Sequence, residues 1–177
     1  MIRLFVAIDL PDFVKHRLTT LCAGVPNARW ARPEQFHITV RFIGEVDGPT
    51  FDDIGHALAE IPFFPFELRL AGVGEFGDRR RTRMLWAGVA PSPELEHLHD
   101  RVESTLVRLG LDPDRRSYKP HVSLARLDRP TDDRVLAFLT DHARFAVGPF
   151  DIEGFTLFSS VTGHSGPLYR AEAVYPL

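Results

Sequence analysis

The sequence predicts an α+β fold of mainly antiparallel sheets with helices on the outside, and three observations predict it. First, the segments Phe36-His37-Ile38-Thr39-Val40 and Pro120-His121-Val122-Ser123-Leu124 both place a histidine, an aliphatic, a hydroxyl residue and another aliphatic in succession. That alternation is the period of a β-strand, so His37 shares a face with Thr39 and His121 with Ser123, while Ile38, Val40, Val122 and Leu124 face a core. Second, helical and extended segments follow one another as β-α-β-α-β-β and then α-β-α-β-β, which is not the strict alternation of a parallel α/β sheet. Third, the two halves are alike: each has its helices and one H-x-[ST] strand, as an ancient duplication would leave them.

Each element has a local reason. Residues 2–9 alternate as a first strand; the stretch is too short for a signal peptide and is broken by Asp9, Pro11 and Asp12. Pro11 and Asp12 open a helix running to about Cys22, with the proline suited to a first turn. Residues 29–31 form a short strand before Pro33, and the strand carrying His37 ends at Gly44. Thr50 is expected to cap a helix over residues 51–61, with Asp52 and Asp53 in its acid-favouring first turn. Residues 63–73 and 84–90 read as strands of a hairpin joined through Gly77-Asp78 and the arginines that follow. Ser92 and Pro93 start a helix over residues 94–109, and Gly110 ends it. After the His121 strand comes a short helix over residues 131–141. Residues 144–160 and 168–174 supply further strands, with a turn at 163–166.

The chain has 177 residues, 44% hydrophobic and 25% charged, the size and composition of one globular domain. No apolar run approaches the ~20 residues of a membrane helix. The single cysteine, Cys22, excludes an internal disulfide, fits a reducing cytoplasm and reads as a small core residue on a helix. The net charge of −3 does not mark a nucleic-acid binder. Its distribution does more: Arg79, Arg80, Arg81 and Arg83 crowd one segment, and Arg115, Arg116 and Lys119 precede the second histidine, so a local basic rim can attract phosphates. An ordinary solvated loop is the competing reading of Arg79 to Arg83.

A single H-x-[ST] triplet is a common accident. Two copies, one per half and both flanked by aliphatics, offer two imidazoles and two hydroxyls, which suits phosphate chemistry: imidazole carries protons near neutral pH, and hydroxyls hold non-bridging oxygens. The remaining histidines do not extend this site. His97 and His99 do not share a helix face, His16, His56 and His142 lie on predicted helices without partners, and His164 sits in a turn. There is no H-E-x-x-H, cysteine cluster, nucleotide-binding glycine loop or G-x-S-x-G elbow, so no metal and no cofactor is expected.

These motifs resemble the two-histidine phosphoesterase superfamily and, within it, the RNA 2′,3′-cyclic phosphodiesterases, long called 2′-5′ RNA ligases. The resemblance covers nearly the whole chain. Residues 3–11 are similar to the family's first strand, Trp30 and residues 37–44 to its first motif region, residues 119–126 to its second, and residues 155–160 with Tyr169 to its C-terminal hairpin. Ser123 stands where threonine is commoner and keeps the hydroxyl.

The resemblance implies a single two-histidine phosphoesterase domain over residues 1–177, bilobal, with two pseudo-symmetric halves flanking a cleft across which the histidines face each other. It implies hydrolysis of an RNA 2′,3′-cyclic phosphate to a 2′-phosphomonoester without metal, with His37 as proton donor and His121 as proton acceptor, and a weak reverse ligation. Its partners would be RNA ends, tRNA halves among them, met by a cytoplasmic monomer. Thr39 and Ser123 would hold the phosphate. Arg126 matches a phosphate-binding arginine of the family, yet it has the wrong parity for the His121 face unless the strand bulges near Leu124 to Ala125. Arg41 has the right parity, four residues beyond His37, though the family gives less reason to choose it. Phe5 could stack on a base or be a plain core residue, and Trp30 shares that ambiguity. Two rivals stand beside this reading. One is a superfamily enzyme acting on small cyclic nucleotides, ADP-ribose cyclic phosphate or 2′-5′ oligonucleotides; the other is an RNA-end binding module without turnover.

Overall fold

A computed structural model describes residues 1–77, 83–130 and 132–176. Among these residues the strands are β1 (Ile2–Asp9), β2 (Ala28–Trp30), β3 (His37–Val46), β4 (Phe66–Phe76), β5 (Arg83–Val89), β6 (His121–Leu127), β7 (Ala146–Ile152), β8 (Gly154–Gly163) and β9 (Gly166–Pro176). The helices are α1 (Asp12–Thr19), α2 (Gly48–Ala59), α3 (Pro93–Arg108) and α4 (Asp132–Asp141), and a 3-10 turn spans Pro33–Gln35. The fold is α+β, as the sequence predicts.

Two sheets carry it, one ordered β3-β1-β8-β9 and the other β2-β6-β5-β4-β7, with every pairing antiparallel. The two ends of the chain meet in the first sheet, where β1 lies between β3 and β8. His37 therefore sits on an edge strand of one sheet, and His121 on the second strand of the other. No described helix is long and apolar enough to cross a membrane.

Local chemistry explains most boundaries. Ser92 caps α3, its Oγ accepting from the Leu95 N–H at 3.2 Å, and Pro93 occupies the first turn. The cap of α2 is Asp47 rather than Thr50: the Asp47 carboxylate accepts from the Thr50 N–H at 2.8 Å, so the helix starts earlier than expected. Helix α3 buries Leu95, Leu98, Val102 and Leu106 along one stripe. Arg17 of α1 donates to the Ala146 carbonyl of β7 at 3.1 Å, which holds that helix against the second sheet. Trp30 packs on Phe138 of α4, ring centroids 5.8 Å apart, which gives it a core role. Cys22 is half-buried and lies just beyond α1.

The aliphatics of both motifs, Ile38, Val40, Val122 and Leu124, are fully buried, as the alternation demands. Each such burial contributes about 1.5–3 kcal/mol. Both motif strands then break register at the same place. Against β1, Ala7 pairs with Thr39 and Val6 with Arg41, leaving Val40 without an opposite residue. Against β5, Trp86 pairs with Ser123 and Leu85 with Ala125, leaving Leu124 without one. A one-residue bulge reverses the faces of everything beyond it.

Candidate active site

Both histidines are held the same way. His37 Nδ1 lies 2.8 Å from the Gln35 carbonyl oxygen and His121 Nδ1 lies 2.6 Å from that of Lys119, each two residues upstream. A carbonyl only accepts, so Nδ1 carries the proton in both rings and each Nε2 is left as acceptor when the ring is neutral and donor when it is charged. The Thr39 hydroxyl donates to His37 Nε2 at 3.1 Å. Ser123 Oγ donates to the Met84 sulfur at 3.2 Å, a weak acceptor that a phosphate oxygen would outcompete.

Aromatic rings wall both imidazoles. Around His37 stand Phe5, with centroids 5.0 Å away, Tyr169 edge-on at 5.3 Å and Phe158 at 6.3 Å. Around His121 stand Phe76, edge-on at 4.9 Å, and Trp86 at 6.2 Å. Trp86 lies flat over Gly74, its direct cross-strand partner, where a Cβ would run into the indole ring.

Burial is the main cause pushing His37 down, to about 4, with His121 and Lys15 adding repulsion while the Gln35 carbonyl and the Asp9 carboxylate oppose. His121 is thus close enough to act on His37 electrostatically. Asp9 is the cross-strand partner of His37 and forms an ion pair with Lys15 at 2.9 Å. His121 is lowered too, by burial first, against the Lys119 carbonyl.

The bulges decide the two arginines. Arg126 lies past the Leu124 bulge, on the face that carries His121 and Ser123 and exposed, which meets the condition its parity imposed. Arg41 does not reach the cleft. The bulge at Val40 turns it inward, where it is 7% exposed, pairs with Glu103 and donates from Nη2 to the Asp112 carbonyl at 2.7 Å. It is a structural residue, and the unbroken alternation that favoured it fails at Val40. Phe42 takes the cleft face instead, 52% exposed and packed on Phe5 with centroids 6.1 Å apart.

Phe5 is also corrected. At 3% exposure it offers no free face to a base, because His37, Phe158, Tyr169 and Phe42 surround it. Arg83 is buried between Glu75 and Asp132, donating to the latter at 2.7 Å, so it belongs to the fold rather than to a basic rim. Arg79, Arg80 and Arg81 lie outside the described residues. Arg116 is tied to Asp114 at 2.9 Å, while Arg115 and Lys119 are exposed.

One connection joins the motifs directly. Tyr118, just upstream of His121, donates its hydroxyl to the backbone carbonyl of Thr39 at 2.9 Å. His99 of α3 stacks on the Tyr118 ring at 4.0 Å with planes 5° apart. Sequence reasoning missed Tyr118, Phe42 and Trp86, because a bulge turns Phe42 outward, strand pairing sets Trp86 beside His121, and Tyr118 reaches across to the strand of the other motif. Among the described residues no group of His, Cys, Asp and Glu is arranged to hold a metal ion.

Residues 4–164 match the family described as the 2′-5′ RNA ligase superfamily. The chain belongs to that superfamily. It is 36% identical over 149 residues, covering 83% of this chain and 84% of the relative, to a protein of Aeropyrum pernix named RNA 2′,3′-cyclic phosphodiesterase. A protein of the same name in Archaeoglobus fulgidus is 30% identical over 176 residues, 98% of this chain and 99% of its own. Among solved structures, a protein of Thermus thermophilus superposes with TM-score 0.79 at 26% identity, over 99% of this chain and 97% of that one. The fold also matches E. coli LigT complexed with 3′-AMP, TM-score 0.79 at 23% identity, over 99% and 98%.

Proposed function

We propose that this superfamily member opens RNA 2′,3′-cyclic phosphate ends to 2′-phosphomonoesters by paired imidazole acid–base catalysis. That it is a cyclic phosphodiesterase rests on the shared name and high coverage of its curated relatives. The observation that carries the mechanism is the matched pair of imidazoles, each with Nδ1 pinned to the carbonyl two residues upstream and each with a hydroxyl beside it on the same face.

The step is an in-line displacement. His121 Nε2 takes a proton as water attacks phosphorus. The bond from phosphorus to the ribose 3′ oxygen breaks, and His37 Nε2–H protonates that oxygen, leaving a 2′-phosphate and a 3′-hydroxyl. Each proton transfer is worth about 10²–10⁴ in rate. Thr39 and Ser123 donate to the non-bridging oxygens, and Arg126 caps the phosphate with a planar fork of donors. Phe42 takes the role the sequence offered to Phe5, an exposed ring for the terminal base. With a 5′-hydroxyl in place of water the same step joins two ends through a 2′–5′ linkage, a weak ligation. The chain acts as one domain of two pseudo-repeated lobes, a cytoplasmic monomer on RNA ends such as tRNA halves.

A second assignment exchanges the two roles, and one observation favours it. His37 is pushed down to about 4, so near neutral pH it is unprotonated, the state an acceptor needs and a donor lacks. A bound phosphodiester raises both imidazoles through its charge and restores a donor. The test uses an oligonucleotide with a 2′,3′-cyclic end. Turnover to a 2′-phosphate supports the reading; no turnover, or a 3′-phosphate product, overturns it. A cyclic substrate with bridging 3′ sulfur, whose thiolate leaves without protonation, then assigns the roles: it rescues the variant that lacks the donor and not the one that lacks the acceptor.

A further inference from the structure

Beside the place proposed for the cyclic phosphate, the same face of β6 carries a further concentration of positive charge. Arg29 of β2 and Arg126 of β6 are direct cross-strand partners, so they stand side by side on one face. It is the cleft face, because their neighbours Ala125 and Leu127 are buried behind the sheet and Trp30 packs on Phe138 there. On the other flank Arg126 pairs with Met84, whose sulfur accepts from Ser123 Oγ. Like charges directly opposed on an antiparallel pair destabilise it. Neither guanidinium has an ion pair or hydrogen bond among the described residues, and both are exposed.

The opposite sheet faces this pair with more of the same sign. Arg3 of β1 lies on the face that carries Phe5 and is exposed without an ion pair among the described residues. The Tyr169 hydroxyl is within electrostatic range of both Arg126 and Arg3, so the two sheets converge here. Glu45 is the cross-strand partner of Arg3 and offsets part of its charge, so Arg29 and Arg126 carry the site. Along β6 the distance from Ser123 to Arg126 is three residues, at most about 10 Å.

We propose that Arg29, faced by Arg3 and Tyr169 and with Arg126 shared between it and the cyclic phosphate, forms a second anion site for the phosphodiester immediately 5′ of the terminal nucleoside. The site rests on the proposed activity and deepens it: the enzyme reads an end of two or more nucleotides rather than a cyclic mononucleotide. The opposed arginines are a pair that the fold alone disfavours and a bridging phosphate satisfies.

The test compares R29Q, R29K and the natural chain on a 2′,3′-cyclic-ended tetranucleotide and on a cyclic mononucleoside phosphate. R29Q lowers kcat/KM on the tetranucleotide about tenfold, chiefly through KM, and changes turnover of the mononucleoside less than twofold. R29K keeps most of the tetranucleotide activity. The slope of log kcat/KM against log salt for the tetranucleotide falls by about 0.7 in R29Q, one phosphate contact on a single strand. The melting temperature of R29Q holds or rises, because the like-charge pair is gone. Equal losses on both substrates, or no loss on either, overturn the second site. Absence of turnover of both substrates by the natural chain overturns the proposed activity instead.

Discussion

On β3 and β6 the same four-residue pattern is followed by the same one-residue bulge, and the side chain that emerges next on the cleft face differs: Phe42 on one strand, Arg126 on the other. The strands agree at the two imidazoles proposed to carry protons. Each imidazole is pinned by the carbonyl two residues upstream and backed by buried aliphatics. They differ at the position proposed to orient the substrate. The first lobe gives an exposed ring suited to a base, the second a guanidinium suited to a phosphate. His37 also sits among more rings than His121, and its titration is pushed down to about 4. Two strands of different sheets thus hold the two imidazoles proposed as proton carriers in the same way, and what distinguishes their faces is one position per strand.

The largest effect expected from breaking this comparison is on the shared part. His37→Ala and His121→Ala each lower steady-state turnover of a cyclic-ended dinucleotide by at least ~10², with far-UV circular dichroism unchanged. Near-normal turnover in either variant would mean that the paired mechanism is wrong.

The differing positions come next. Arg126→Gln loses charge-assisted bonds worth about 1.5–3 kcal/mol and lowers kcat/KM by roughly 10–100-fold. Phe42→Ala loses a stacking face worth about 1–3 kcal/mol, seen as a raised KM that depends on the base, while stability moves by less than about 0.5 kcal/mol. An Arg126→Gln effect confined to KM and dependent on base identity would erase the distinction between the two strands.

The depth of His37 has a signature in pH. Its folded pKa of about 4 lies below the ~6.5 of an unfolded histidine, so the unfolded chain binds the extra proton between those values. The contribution of His37 is therefore present above pH ~6.5 and is lost as pH falls toward about 4. His37→Gln should flatten that part of a stability profile measured by urea unfolding. Asp9→Asn removes a carboxylate that raises His37, and should move its NMR titration to still lower pH. A titration that moved upward would show that Asp9 does not act on His37 as described.

The smallest effects concern the link between the strands and the proposed independence of any metal. Tyr118→Phe removes the hydrogen bond to the Thr39 carbonyl and keeps the ring that stacks on His99. About 1 kcal/mol of stability and a few-fold in kcat should go, with KM unchanged. Exhaustive chelation should leave turnover unaltered, and a loss restored by one divalent ion would show that the proton carriers do not suffice.

Much of this was legible in the chain. The alternation of both motifs placed their aliphatics in the core and their histidines on the facing side, because side-chain parity is a local property of extended backbone. The Ser92-Pro93 start of α3 was legible for the same reason: a cap is made by neighbours in sequence. Arg126 was placed by the chain only under a condition, a bulge near Leu124, and Arg41 only by assuming none near Val40. Both outcomes turned on one event that occurs twice, the extra residue opposite β5 and opposite β1. Bulges are set by the strand that lies alongside, so strands distant in sequence chose which side chains enter the cleft. The enclosure of Phe5 by Phe158 and Tyr169, the Tyr118 link and the facing of Arg29 by Arg126 are likewise contacts between elements far apart in the chain. The sequence by itself determined which residues are the candidate proton carriers. The pairing of strands within each sheet, and the packing of one sheet against the other, decided which residues stand beside them.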